Sequence, residues 1–398
     1  MAARLMLGLS AAQAAIRARI TTCGTENTAL SEAQGRISAA SVRCRRPIPH
    51  FSAAAMDGFA LGPVKAKDRR YIIKAETAAG DTSCRSLRAG EAVRIMTGAL
   101  LPSGTERVVP FELTRENGSE LITGPLPRNK FIQHRGGELD RGRVIIRNGE
   151  QLNTSHLIYL SADGRDNIQV YKAPLAAFFC TGSELSTESK PPAGRRRNSN
   201  NLLLAALIRR AGAVPLDLGI AADTPEALRA ILRKGMDADD KQTILISTGG
   251  MGPGKYDLTA AIFKEMGGEV IFTRLNLRPG KGTLCGHLGS LLYFALPGPP
   301  TAVNTIFPLL IDPALRQAQG LKKAWPPRIT AVLSTEIRIK KPGFTHLKGG
   351  VLSYKGGRLM VREARPLEEA GAVIVIPAHR RLLRAGQLAG IFLNQIRK

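Results

Sequence analysis

Cys180-Thr181-Gly182-Ser183-Glu184-Leu185, Ser247-Thr248-Gly249-Gly250-Met251-Gly252-Pro253-Gly254-Lys255-Tyr256-Asp257 and Leu296-Pro297-Gly298-Pro299-Pro300 are three Gly-rich stretches, each following a short apolar run. The runs Ala173 to Phe179, Thr243 to Ile246 and Leu291 to Ala295 have the length and unbroken apolarity of strands buried on both faces of a parallel sheet. In an open α/β sheet, loops at the carboxyl ends of strands line the ligand crevice. Three such loops, two of them carrying a carboxylate (Glu184 and Asp257), predict one composite site for a large anionic ligand.

Outward from these loops, strands alternate with helices between residues 173 and 319, as a parallel sheet with helices on both faces requires. Helices are predicted at Asn200 to Ala211, closed by Gly212, and at Thr224 to Lys234, Leu258 to Met266 and Thr301 to Leu310. Residues 1–45 carry Ala11, Ala15 and Ile16, then Leu30, Ala33 and Ile37, at helical spacing. With 146–172, which predict a short helix and strand, they form an N-terminal and linker domain. Residues 46–145 change to short strands and Gly/Pro turns, a small β-rich domain. After Trp325-Pro326-Pro327, the segment 320–398 predicts strands at Arg328 to Ile339, Arg358 to Arg362, Val373 to Ile376 and Gly390 to Leu393, closing as a small barrel.

Composition agrees with a multidomain α/β protein. A chain of 398 residues exceeds one ordinary core and predicts about two to four domains. No run approaches the ~18 apolar residues of a membrane span. The stretch Leu5 to Leu9 is shorter than the roughly 7–15 apolar residues of a secretory signal core, and Ala11 to Ile20 continues it as an amphipathic helix. The cysteines at 23, 44, 84, 180 and 285 form no CxxC pair, which argues for a reducing, cytoplasmic setting.

The net charge is +25, and Leu321 to Lys398 alone carries +12. Such an excess attracts polyanions. The tail nevertheless lacks a helix-turn-helix, zinc-finger or RNP pattern, so a solvated basic face is favoured over nucleic-acid binding. The arginine run 195–197 reads as part of a polar loop.

Beyond this, the chain resembles the molybdopterin molybdenumtransferase family, the group containing MoeA and the E domain of gephyrin, from about Ala12 to Gly320. The resemblance lies in Leu30-Ser31-Glu32-Ala33-Gln34-Gly35-Arg36, Ala55-Met56-Asp57-Gly58-Phe59-Ala60, Arg94-Ile95-Met96-Thr97-Gly98-Ala99 and Leu101-Pro102-Ser103-Gly104. It continues through the Thr-Gly-Ser-Glu-Leu and Thr-Gly-Gly loops, Asn200, Arg278-Pro279-Gly280-Lys281 and Leu296-Pro297-Gly298. No single piece is decisive, but their order and spacing over about 300 residues are specific. The resemblance implies an elongated homodimer of four-part chains. It also implies an enzyme that inserts molybdate into adenylylated molybdopterin, releasing AMP with the help of Mg²⁺. The adenylyltransferase that supplies the substrate and molybdoenzyme-maturation proteins are then its expected partners.

On this basis Asp57, Thr97, Glu184, Asp257 and Lys281 are the expected catalytic residues, with Asp57 and Thr97 supplied across the dimer. Glycines 249, 250, 252 and 254 lack a Cβ and could let backbone N–H groups approach phosphate. Thr181, Gly182, Ser183, Asn200, Pro279, Gly280, Pro297, Gly298 and Pro300 complete the expected pterin-binding set. Glu184 and Asp257 end different strands of one sheet and are expected metal ligands through hard oxygens, with Glu138 and Asp223 beside them. Asp257 also suits the N-cap of the helix expected from Leu258.

The chain departs from the family's pattern at several places. Ser183 stands for an Asp, Gly252 for a Ser and Pro299 for an Asn. Gly282 follows Lys281 in place of a Pro, Thr224 stands beside Asp223 in a paired acidic turn, and no Ser-Gly signature precedes Val373. These changes keep open a non-catalytic relative that binds molybdopterin or molybdate as an assembly factor, marked by binding without AMP release. A polyanion-binding scaffold led by the tail is another reading. A third is a competence-damage type nucleotide pyrophosphatase, against which the upstream Asp57 and Thr97 motifs argue.

Overall fold

The computed structural model describes residues 6–63, 69–82, 86–236, 242–250 and 255–394, without the side chains of 242, 243 and 255–257. A six-stranded sheet lies at its centre, in the order Val214–Ala221, Leu175–Thr181, Gln242–Thr248, Leu291–Leu296, Leu284–Leu288 and Glu269–Phe272. Alternation along the strands divides the apolar residues between two faces. Ala176, Phe178, Ile244, Ile246, Leu292 and Phe294 meet the helices Asn200–Arg210 and Pro300–Ala318. Ala177, Phe179, Leu245, Tyr293 and Ala295 meet Pro225–Met236 and Lys255–Glu265. Burial on both faces explains why these strands read as continuous apolar runs.

The sheet corrects the parallel expectation. Its first four strands are parallel, whereas Leu284–Leu288 runs antiparallel to both of its neighbours, Leu291–Leu296 and Glu269–Phe272, and is the one reversed strand of the six. Only Gly289 and Ser290 separate Leu284–Leu288 from Leu291–Leu296. A two-residue link can only turn the chain back beside itself, because a parallel return needs a dozen or more residues.

The N-terminal helix spans Leu9–Arg17 and buries Ala12 and Ile16 in the α/β core. Helical spacing misleads after it. Thr25–Ala29 is a strand paired antiparallel with Asn167–Tyr171, and Ile37 bridges to Gln151. Gly24 and a left-handed Gly35 interrupt any helix, and Thr25 and Thr28 favour extended backbone. The linker segment packs its own core from Val42, Ile48, Ile146, Leu160 and Val170, with the helix Thr154–Ala162 capped by Asn153.

The β-rich part is a six-stranded sheet in the order Arg107–Pro110, Gly58–Leu61, Glu91–Ile95, Arg70–Thr77, Glu120–Thr123 and Thr114–Asn117. A Cβ at Gly58 would lie 2.0 Å from the Val109 carbonyl oxygen, so the Asp57-Gly58 turn requires glycine.

In the last part, five strands close on themselves: Thr345–Lys355, Arg358–Glu363, Arg328–Leu333, Leu388–Leu393 and Ala372–Ile376, which returns to Thr345–Lys355. The long strand Thr345–Lys355 escapes sequence reading because Gly349 and Gly350 lie within it. A Cβ at Gly350 would sit 2.8 Å from Val361 and 2.9 Å from Ile374, so glycine lets the barrel wall close there.

Candidate active site

The three Gly-rich loops meet. Thr181, Glu184, Thr248, Gly249, Gly298, Pro299 and Pro300 line one open cleft of about 440 Å³, joined by residues 196–200. Asn200 ties the walls together: its Nδ2 donates to the Gly298 carbonyl at 2.7 Å and to Thr248 Oγ1 at 3.1 Å. Thr248 Oγ1 in turn donates to the Cys180 sulfur. Burial pushes the Cys180 thiol up, so this cysteine packs as a neutral group under the cleft.

Backbone approach sets the glycines. Gly249 has φ near +90°, and a Cβ on it would lie 2.0 Å from the Thr181 carbonyl oxygen. Gly182 lies beneath the Glu184 carboxylate, which would meet a Cβ there at 2.7 Å. Glu184 itself is exposed at the rim. On the far side of Thr181 and Gly249 lies a smaller pocket lined by Asp223, Thr224, Gly250 and Tyr293. A Cβ on Gly250 would meet Thr181 Oγ1 at 2.6 Å and come within 3.8 Å of an Asp223 carboxylate oxygen.

The cleft wall is polar and electropositive. The helices Asn200–Arg210 and Pro300–Ala318 both begin at it, and each start carries roughly half a positive charge; at the first, the Asn198 and Asn201 side chains accept from the N–H groups of Asn200 and Leu202. Thr181 Oγ1 and Asn200 Oδ1 are buried in the wall with no hydrogen-bond partner among the described residues. Leaving such atoms unpaired costs about 1–3 kcal/mol each, a cost relieved by a ligand or water that reaches them.

Other expected residues fall elsewhere. Gly252 and Gly254 lie outside the described residues. The helix after them starts at Lys255, so Asp257 stands in its first turn and is not the cap; its side chain lies outside the described residues. Ser183 is exposed beside Glu184, and neither it nor Pro297 lines the cleft. Lys281 does not line it either: its ammonium sits 5.0 Å from the centre of the Phe344 ring. Pro279 follows a cis peptide bond, and Gly280 abuts Ile306, where a Cβ would come within 2.4 Å.

Asp57 and Thr97, forty residues apart, form a unit at the exposed tip of the β-rich part. One carboxylate oxygen of Asp57 accepts from the Thr97 N–H at 2.6 Å and from its hydroxyl at 2.7 Å. These bonds, the backbone one first, hold the Asp57 carboxyl below the usual carboxylate range. Neither residue lines the cleft of its own chain. Glu138 accepts from Gln133 Nε2 at 3.0 Å in the same β-rich part.

For a metal, carboxylate oxygens are the right chemistry for Mg²⁺, but they are dispersed. Glu184 is in the cleft, Asp223 in the adjoining pocket and Glu138 in another part of the chain. No three acidic, His or Cys side chains gather among the described residues. The described residues of one chain therefore do not fit a complete Mg²⁺ site. The lining residues Arg196, Arg197, Asn198 and Ser199 were not anticipated as site residues. Their one sequence signal was a basic run immediately before a helix that starts beside the Gly-rich loops.

Comparison with known proteins agrees with this architecture. Residues 7–164 match the family described as MoeA N-terminal region (domain I and II), and residues 177–317 match the probable molybdopterin binding domain. A molybdopterin molybdenumtransferase from Nostoc sp. is 31% identical, covering 91% of this chain and 87% of the relative. One from Staphylococcus aureus is 29% identical, covering 92% and 90%. A molybdopterin biosynthesis MoeA protein from Pyrococcus horikosii superposes with a TM-score of 0.79 at 25% identity, covering 98% of this chain and all of the other.

Proposed function

The chain belongs to the molybdopterin molybdenumtransferase family, and we propose that its cleft is where molybdate enters adenylylated molybdopterin with release of AMP. It is an enzyme of molybdenum cofactor biosynthesis, and the assembly-factor alternative is not favoured. The observation that carries the site assignment is the convergence of Thr181, Glu184, Gly249 and Gly298 on one cleft with two helix starts. A phosphoanhydride needs such a surface, because positive helix ends and close backbone oppose its negative oxygens without adding bulk.

In the reaction, water adds to the adenylyl phosphorus as the anhydride P–O bond breaks, so AMP leaves with that phosphorus and the pterin keeps its own phosphate. The two dithiolene thiols bind molybdenum, and one molybdate oxygen leaves with their protons as water. Glu184, at the rim, is positioned to orient the group that attacks phosphorus. Thr181 and Asn200 hold the pterin end, where their unpaired atoms offer a hydroxyl donor and an amide acceptor. Asp57, its carboxyl held below the usual carboxylate range by the Thr97 hydrogen bonds, reaches the cleft of a second copy in a homodimer. Its exposure and its absence from its own chain's cleft support this arrangement. Mg²⁺ is implied by the resemblance to the family, and the described residues of one chain do not gather a ligand set for it.

The test is AMP release from adenylylated molybdopterin in the presence of molybdate. Glu184→Gln should lower it by at least about tenfold, ~1.4 kcal/mol in the barrier, with an unchanged melting curve. Wild-type turnover in this variant would remove Glu184 from the reaction.

A further inference from the structure

Arg196 and Arg197 form a two-residue strand paired with Leu185–Ser186, directly behind Glu184, whose carbonyl accepts from the Arg196 N–H at 2.7 Å. This pairing brings both residues into the wall of the cleft. Both are exposed, and neither side chain has a carboxylate or hydrogen-bond partner among the described residues. Arginines that serve only as solvated surface need no such placement. Here two guanidinium groups, against the single carboxylate of Glu184, share a wall with two helix starts and the buried Thr181 hydroxyl, which has no hydrogen-bond partner among the described residues.

We propose that Arg196 and Arg197 are specificity-determining residues that form a phosphate subsite, gripping the phosphate oxygens of a phosphorylated pterin substrate. The assignment rests on the transferase reading above and deepens it. A guanidinium presents donors in a planar fork that matches phosphate, and charge-assisted bonds of this kind are the strong ones. The unpaired Asn200 Oδ1 narrows the ligand class. It is an acceptor, because Nδ2 of the same amide already donates to Gly298 and Thr248. A bare oxyanion offers it nothing, whereas a pterin carries N–H donors as well as phosphate. The subsite therefore selects a ligand anionic at one end and N–H-bearing at the other.

The probe is inorganic pyrophosphate, titrated calorimetrically into the full chain. The Arg196→Gln/Arg197→Gln double variant should bind it at least tenfold more weakly, about 1.4 kcal/mol. Arg195→Gln, at a position outside the cleft lining, should change binding by less than about twofold. Replacement of both residues by lysine keeps the charge but loses the fork, and should recover only part of the affinity. In the AMP-release assay, the glutamine double variant should raise KM for adenylylated molybdopterin by more than it lowers kcat. Unchanged pyrophosphate binding in the double variant would overturn the subsite while leaving AMP release by the wild type intact. Equal weakening by Arg195→Gln would also overturn it, showing a diffuse field. Arginine-dependent pyrophosphate binding by a wild-type protein that releases no AMP would sustain the subsite and refute the transferase reading.

Discussion

Replacing Gly249 with alanine tests the cleft's construction directly. The new methyl would lie 2.0 Å from the Thr181 carbonyl oxygen, whereas a carbon and a carbonyl oxygen rest at roughly 3.3–3.6 Å. One loop must therefore move by more than about 1 Å. Moving it strains the parallel pairing that joins Cys180 to Thr248 immediately before it. The backbone at φ +90° adds a left-handed cost of ~1–2 kcal/mol for any L side chain. Overpacking adds ~1–3 kcal/mol, for a total of about 2–5 kcal/mol. For a domain of this size, each kcal/mol lowers Tm by about 2–4 °C, so a fall on the order of 10 °C is expected in the α/β unit. AMP release should fall by about a hundredfold or more, because a displacement of 1 Å at a reacting site costs that much.

Gly298→Ala is the matched control. Its Cβ would make only an ordinary 3.6 Å contact with Gly249 Cα, so Tm should stay within about 2 °C. Differential scanning calorimetry with the AMP assay checks both variants. If Gly249→Ala melted and turned over like wild type, or if Gly298→Ala proved equally damaging, the geometry derived for the cleft would be wrong.

Three further outcomes are expected. Mixing Asp57→Ala chains with Glu184→Gln chains should restore roughly a quarter of wild-type AMP release by statistical exchange, because each heterodimer holds one site free of both lesions; no recovery after confirmed exchange would place both residues in one chain's site. Thr97→Val removes one of the two bonds to Asp57 and should raise its pKa while leaving it below the ordinary value, as followed by carboxyl-carbon NMR. Because the folded pKa is depressed, the stabilisation is complete above the unfolded value of about 3.9 and is lost as pH falls through the folded pKa; in the variant the stabilisation should be smaller and its loss should be complete at a higher pH. In Pro299→Asn, a new N-cap for the helix Pro300–Ala318 and the lost proline constraint should offset each other within about 1 kcal/mol; a ligand-facing amide should lower KM by about two- to twelvefold, and an unchanged KM would show that the side chain does not meet substrate.

Much of the architecture was legible in the residues alone. Buried strands of a central sheet must be apolar on both faces, so Leu175–Thr181 and Leu291–Leu296 announce themselves, and Gly182 and Pro297-Gly298 mark their ends. The two-residue link at Gly289-Ser290 even carried the antiparallel strand, although the parallel reading passed over it. Order and spacing of short motifs carried the family. Helical spacing at Leu30, Ala33 and Ile37 yields only the one-turn 3-10 helix Leu30–Glu32, because three apolar residues can meet that period by chance, while the strand partners that extend the flanking residues lie beyond residue 150.

What only the tertiary structure decided is where side chains of distant segments meet. Local sequence determines turn chemistry and strand period, but the direction of a side chain depends on contacts across the fold. Asp57 and Thr97 became one hydrogen-bonded unit because antiparallel pairing of Gly58–Leu61 with Glu91–Ile95 brings their turns together. Lys281 turned to the Phe344 ring of the barrel, a partner that no spacing within its own loop could name. Arg196 and Arg197 looked like a solvated run until pairing with Leu185–Ser186 laid them along the cleft. In each case the deciding contact joins segments that neither propensity nor periodicity relates.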